Sequence, residues 1–127
     1  MKSEREMFMN ILLIEDNMTI IKGLKYNLES NNYLVTYKLT VKDGEEYINN
    51  NKVKYIIFKS RREGYDIRTL IDSCRFNDTI SHATDINIAK EITGINDLIY
   101  VDVHGKLCCT KTLESAIQVI KYNEGEL

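Results

Sequence analysis

Two short apolar runs end in side chains that could carry out chemistry. Residues 11–14 are followed by Glu15 and Asp16, and residues 55–58 are followed by Lys59. Apolar runs of this length are typical of buried strands, and the carboxyl ends of neighbouring strands in an open parallel sheet share one crevice. An acid pair in that crevice could hold a cation, whereas a lysine beside the pair would compete with the cation for the carboxylates. The sequence therefore predicts a polar crevice that contains both acids and Lys59.

The elements that would position these residues alternate between strand and helix patterns. Short runs rich in isoleucine, valine and tyrosine alternate with longer segments of helical period, which is typical of βα units around a parallel sheet. We predict strands at residues 10–14, 33–39, 53–58, 79–83 and 97–102. We predict a first helix capped by Asn17 or Thr19, and further helices at residues 41–51, 67–74, 86–92 and 113–122. Residues 106–110 could form an extra strand before the last helix.

The overall composition limits the class of protein. A chain of 127 residues with a formal net charge of −2 suits one domain; we expect residues 1–8 to be a flexible leader and residues 9–127 to be that domain. The near-neutral charge gives no electrostatic support for binding nucleic acid or an anionic membrane. No apolar run approaches the roughly 20 residues of a membrane span, and no signal peptide opens the chain. The three cysteines match neither a disulfide framework nor a zinc pattern, so we predict a cytoplasmic protein.

The first half of the chain resembles the receiver domain of two-component response regulators. The resemblance lies in residues 11–17, in Gly23-Leu24-Lys25, in residues 32–35 and in residues 64–67. It covers residues 9–76 well and extends to the remainder only through the order of the elements. It implies an α/β fold with a doubly wound, parallel five-stranded sheet of strand order 2-1-3-4-5 and helices on both faces.

The resemblance also implies roles for the polar crevice. In receivers, the acid pair after strand one holds Mg²⁺, and an aspartate at the end of strand three accepts a phosphoryl group. Glu15 and Asp16 match the acid pair, whereas Lys59 stands at the acceptor position. An ammonium is a poor substitute for a nucleophilic carboxylate and competes with the metal, so we expect weak or absent Mg²⁺ binding, no phosphorylation and no enzymatic activity. Lys59 would neutralise the acids or, on the simpler alternative, extend to solvent from a degenerate pocket.

The remaining receiver positions are matched less directly. Thr84 is the candidate for the Ser or Thr that ends strand four, although it could equally cap a helix. Receivers end strand five with a lysine before a cis-proline, and this chain contains no proline. Two registers stay open: strand five ends at Asp102, which could then form a swapped pair with Lys59, or residues 106–110 fill that slot and Lys111 is the matching lysine. A rival assignment makes Asp102 itself the phosphoacceptor, although four βα steps precede it.

The predicted output is contact with another protein. Phosphorylation in receivers shifts a two-state equilibrium that repacks the face made by helix four, strand five and helix five. Tyr100 and His104 are candidate switch or interface residues on that face, which would serve a homodimer or another protein partner. The chain is thus interpreted as a phosphorylation-independent regulatory domain of a transcriptional response regulator, which would reach DNA only through a separate domain. The alternative is a small-ligand-binding protein or an α/β enzyme that uses the crevice, although the chain has no Gly-rich phosphate loop.

Overall fold

Strands and helices alternate only in part along this chain. The computed structural model describes residues 10–61, 63–69, 86–102 and 106–125. The strands in these ranges are β1 (Asn10–Ile14), β2 (Leu34–Lys38), β3 (Tyr55–Lys59), β4 (Tyr65–Thr69), β5 (Leu98–Val101) and β6 (Leu107–Thr110). The helices are α1 (Met18–Ser30), α2 (Val41–Asn50), α3 (Ile86–Thr93) and α4 (Leu113–Asn123). None of these described helices has the length and apolar character needed to cross a membrane.

The strands form one mixed, six-stranded sheet in the order β2-β1-β3-β4-β6-β5. β1 is parallel to both β2 and β3, whereas β4 is antiparallel to β3, β6 to β4 and β5 to β6. The predicted α/β class is confirmed. The predicted all-parallel, five-stranded sheet of order 2-1-3-4-5 is wrong, because β4 runs against β3 and β6 is inserted between β4 and β5.

The main departure from the predicted elements lies at residues 65–69. We predicted a helix from Ile67, but this segment is a strand that returns directly along β3. A short turn permits the return, since Ser60 N–H donates to Gly64 O over 2.9 Å and Gly64 has a φ of +76°, which glycine adopts without strain. Ile67 is buried while the next residue, Arg68, is exposed, as in a strand. The rest of that predicted helix, residues 70–74, and the predicted strand at residues 79–83 lie outside the described residues.

The possible extra strand before the last helix is present as β6. It lies inside the sheet, where Cys108 stands opposite Ile67 of β4 and Val101 of β5. This central position explains why both Cys108 and Cys109 are fully buried, since neighbouring strand residues point to opposite faces. The insertion also reverses the direction of β5 relative to a parallel sheet.

Described helices cover both faces of the sheet. On one face, α1 and α4 pack against β1, β3, β4 and β6, and this larger core contains Ile11, Leu13, Ile21, Leu24, Leu28, Ile57, Ile67, Cys108, Ile117 and Ile120. On the other face, a smaller core joins Leu12, Ile14, Val53 and Ile56 to Tyr47 and Ile48 of α2. Strand residues two apart share a face, so the alternation along β1 places Glu15 on the side of the larger core.

Candidate functional site

Most of the polar residues singled out from the sequence lie where the strands that run parallel to β1 end. We call this row of strand ends the Glu15 edge. β1, β3 and β6 run in the same direction, so Glu15, Lys59 and Lys111 follow or end their strands there. β4 and β5 run the other way, so their amino ends, at Tyr65 and Leu98, lie at the same edge. β2 is parallel to β1 as well, so the sheet topology brings four strand carboxyl ends and two strand amino ends to this edge.

Three of the described helices, α1, α2 and α4, also begin at the Glu15 edge, and a side chain caps each of them. Asn17 Oδ1 accepts hydrogen bonds from the N–H groups of Thr19, over 3.0 Å, and Ile20, over 3.3 Å. Asn17, and not Thr19, is thus the cap of α1. Thr112 Oγ1 accepts from Ser115 N–H over 3.1 Å at the start of α4. The oxygens of these polar side chains bind backbone N–H groups of the helices. The charged side chains are therefore the candidates for chemistry in the crevice.

Glu15 is a buried acid at this edge. Its backbone N–H donates to Lys38 O over 3.1 Å, which extends the pairing of β1 with β2, and the residue is 2% exposed. Both carboxylate oxygens are buried, and neither has a hydrogen-bond partner within the described part of the chain. A buried carboxylate without donors is costly unless a cation lies close to it. The electrostatics of the edge therefore depend on the cation that reaches Glu15.

Lys59 supplies a positive charge at this position. Its Nζ lies 3.9 Å from Glu15 Oε1, and its side chain is 64% exposed whereas the Glu15 side chain is 0% exposed. The carboxylate is thus held inside the protein and the ammonium at the boundary with water. The structure brings together these two residues from neighbouring strand ends, and the same lysine both contacts the acid and extends to solvent.

Tyr65 completes the group, and the sequence reasoning did not assign it to the site. It stands opposite Lys59 in the pairing of β3 with β4. Burial raises the pKa of its hydroxyl, the charges of Glu15 and Asp16 raise the pKa further, and Lys59 opposes them. A hairpin turn predicted after Lys59 would have placed Tyr65 beside it. Gly64 is the residue that could have indicated such a turn, since glycine is common in hairpin turns.

The group does not fit a magnesium ion. Mg²⁺ requires a near-octahedral shell of oxygen ligands, but Glu15 is buried beside an ammonium and Asp16 is exposed. Within the described ranges, no three His, Cys, Asp or Glu side chains come close enough together to hold a metal ion. The charge that lies beside the acid here belongs to the protein itself.

The structure does not bring Asp102 to the Glu15 edge. β5 is antiparallel to β6, and Asp102 N–H donates to Leu107 O over 2.8 Å, so Asp102 lies beside the start of β6 at the opposite edge. The swapped pair with Lys59 is therefore not formed, because the inserted strand β6 reverses β5. Lys111, by contrast, is an exposed residue at the Glu15 edge.

The other candidates lie away from the site or outside the described residues. Tyr100 is half-buried on β5, whereas Thr84 and His104 fall outside the described ranges. Comparisons of the chain with family models, with curated proteins and with solved structures find no match.

Proposed function

We propose that this chain is a receiver-like regulatory domain that acts without phosphorylation, through contact with a second copy or another protein. The observation that carries the proposal is the pairing of the Lys59 ammonium with the buried Glu15 carboxylate at 3.9 Å. In a phosphorylated receiver, the charge at this crevice changes when the phosphoryl group arrives and leaves. Here the positive charge is covalently part of the chain. A permanent charge favours one state of a two-state equilibrium, because such an equilibrium shifts only through interactions that differ between its states.

The parallel half of the sheet supports this proposal. β2, β1 and β3 lie side by side in parallel pairs, and α1 and α2 pack on opposite faces of them. The receiver resemblance, which covers residues 9–76, implied this arrangement for the first three strands, with the acid pair after the first strand and the acceptor position after the third. The antiparallel half departs from that pattern, so the proposal concerns a regulatory contact and not the phosphate-driven switch of receivers.

The same geometry argues against phosphoryl transfer at the Glu15 edge. Lys59 stands at the position of the acceptor, and Glu15 is shielded from a phosphate donor by burial. A magnesium ion would have to displace the ammonium before it reached the buried acid. Asp102 lies at the opposite edge, away from both residues.

The proposed contact surface is the side of the molecule formed by α3 and β5. Ile88 and Ile92 lie one turn apart on α3 and are 47% and 50% exposed. β5 is the last strand of the sheet within the described residues, and an edge strand can pair with another strand. A second copy is the occupant we propose, because an edge strand can pair with its own copy around a twofold axis.

Sedimentation velocity over a range of protein concentrations tests the contact. We expect the wild type to dimerise and the double substitution Ile88→Lys, Ile92→Lys to remain monomeric. Tyr26→Lys is the matched control, because Tyr26 is 78% exposed on α1, away from this surface. A wild type that stays monomeric at every concentration, or a double variant that still dimerises, would contradict the proposed surface.

A phosphoryl donor without an acyl group, such as phosphoramidate, tests independence from phosphorylation. After incubation with Mg²⁺ we expect the intact mass and the oligomeric state to be unchanged. Lys59→Asp is an informative companion, since it restores a carboxylate at the end of β3 and should bind Mg²⁺ more tightly than the wild type in a calorimetric titration. Gain of a phosphoryl group by the wild type would refute the proposal.

A further inference from the structure

Lys59 combines an exposed amine with a buried acid. Its side chain is 64% exposed, while the carboxylate that it contacts is fully buried. Two other paired lysines differ from it: Lys25 contacts Glu29 at 3.6 Å with both side chains exposed, and Lys54 is itself only 17% exposed in its ion pair. The Lys59 side chain is therefore open to reagents, whereas its partner acid is buried.

We propose that Lys59 is a modification site that accepts an acyl group from an activated carboxylic acid, carried as an acyl phosphate or an acyl thioester. The inference rests on the proposed function, since it assumes that the Lys59 charge sets the state of the domain. An amine attacks a carbonyl group only in its neutral form, so the site needs a nearby proton acceptor. The Glu15 oxygens have no hydrogen-bond donor among the described residues, and the flexible lysine stem can shorten the 3.9 Å separation to hydrogen-bond reach.

The proposed reaction removes two protons from the Lys59 ammonium, of which one stays with the leaving group and one is released to water. The first proton passes from Nζ to Glu15, which leaves an electron pair on the nitrogen. That pair attacks the carbonyl carbon and forms the N–C bond of an amide, and the bond from carbon to the phosphate oxygen or thioester sulfur breaks. Its electrons leave with the phosphate or thiolate, which takes the second proton, and Glu15 returns the first proton to water.

Acylation would remove the charge that balances the Glu15 edge. An amide nitrogen carries no charge, so Glu15 would remain as a buried carboxylate without its paired cation. Tyr65 reports the change, because Lys59 lowers the pKa of Tyr65 and Glu15 raises it. We therefore expect the pKa of Tyr65 to rise on modification, and the state held by the Lys59 charge to be released.

Time-resolved acylation of the folded wild type tests the inference. The protein is incubated separately with acetyl phosphate and with acetyl coenzyme A, and the modified lysines are quantified by peptide mass spectrometry. We expect Lys59 to react about tenfold faster than Lys25 with one or both donors. This is less than the usual contribution of a positioned proton acceptor, because the 3.9 Å separation must first shorten. The donor that gives the faster reaction identifies the carrier. Glu15→Gln should reduce the rate at Lys59 to that at Lys25, and Lys59→Arg should abolish the rapid phase.

Equal rates at Lys59 and Lys25 in the wild type with both donors would overturn the inference, whether or not the Glu15→Gln variant folds. A rapid rate at Lys59 that survives in a folded Glu15→Gln variant would overturn the role of Glu15. Failure of the proposed function gives a different result, since dimerisation by sedimentation would then be the same for the wild type, Lys59→Gln and Lys59→Arg. The two proposals are thus separately refutable.

Discussion

Replacing Lys59 with glutamine should destabilise the protein more than an equivalent change at an ordinary surface ion pair. Glutamine keeps part of the apolar stem and a polar end but removes the charge. Glu15 then remains buried with neither its paired cation nor a hydrogen-bond donor among the described residues. Lys25→Gln is the matched control, because it breaks an exposed pair of similar separation.

The expected magnitude follows from the separation and the exposure of the pair. Two unit charges 3.9 Å apart attract by about 1 kcal/mol in water and about 4 kcal/mol at an effective dielectric constant of 20. The Lys59 side chain is mostly exposed, so solvent screening reduces the larger figure, and we expect a loss of about 1–2 kcal/mol. For Lys25→Gln we expect about 0.3–0.5 kcal/mol, the usual value of an exposed helical pair.

Urea denaturation followed by far-UV circular dichroism measures both changes in the free energy of unfolding. The slope of the transition should be the same in all variants, so that midpoint differences report stability alone. In a double-mutant cycle, Glu15→Gln should remove most of the cost of Lys59→Gln. If Lys59→Gln and Lys25→Gln differ by less than about 0.3 kcal/mol, or if the cycle shows no coupling, the ion pair does not balance the buried acid, and the electrostatic reasoning is wrong.

Three further predictions concern the surrounding structure. Gly64→Ala should lower the free energy of unfolding by about 3 kcal/mol or more, because a Cβ at this positive φ would collide with the backbone of β6. Gly94→Ala should lower it by only about 1 kcal/mol, because Gly94 has a positive φ but open space around it. Equal losses in urea denaturation would contradict this. Tyr55→Phe should cost about 1–3 kcal/mol, since the buried Tyr55 hydroxyl donates to Glu124 Oε2 over 2.6 Å, and an unchanged thermal midpoint would show that the bond contributes nothing. The pKa of Tyr65 is raised above its ordinary value of 10.0, so the stability that Tyr65 contributes should be complete below pH 10.0 and be lost as the pH rises through its folded pKa; Tyr65→Phe should weaken that loss, and an unaltered alkaline profile would contradict it.

Elements with strong local patterns could be predicted from the sequence. The first strand was predicted with its observed bounds, Asn10–Ile14, and the last helix was predicted to within one residue of Leu113–Asn123. Both elements carry apolar residues at the period of their structure. Asn17 caps the helix that follows the first strand, and Thr112 caps the last helix. The meeting of Glu15 and Lys59 was also predictable, because parallel neighbouring strands place their carboxyl ends side by side.

The direction of the later strands could not be predicted, because it depends on long-range pairing. Ile67 and Cys74 fit a helical spacing together with the residues between them, but Ile67 is buried through its position between β3 and β6. No local signal showed that β6 would enter the sheet beside β4. The placement of Asp102 was wrong for the same reason, and Tyr65 was missed because its neighbours are set by the hairpin.

The mixed sheet has a consequence for the order in which this chain can fold. The β3–β4 hairpin joins segments close in sequence and can form within about 1–10 µs, whereas Ile67 must wait for Cys108 of β6, far along the chain. Until β6 and α4 leave the ribosome, β4 lacks its neighbouring strand and Ile67 is not packed against α4. A strand without its neighbour can pair with another nascent chain. Residues 107–123, which are synthesised late, thus complete the larger core. The chain is most exposed to aggregation between translation of the β3–β4 hairpin and translation of α4.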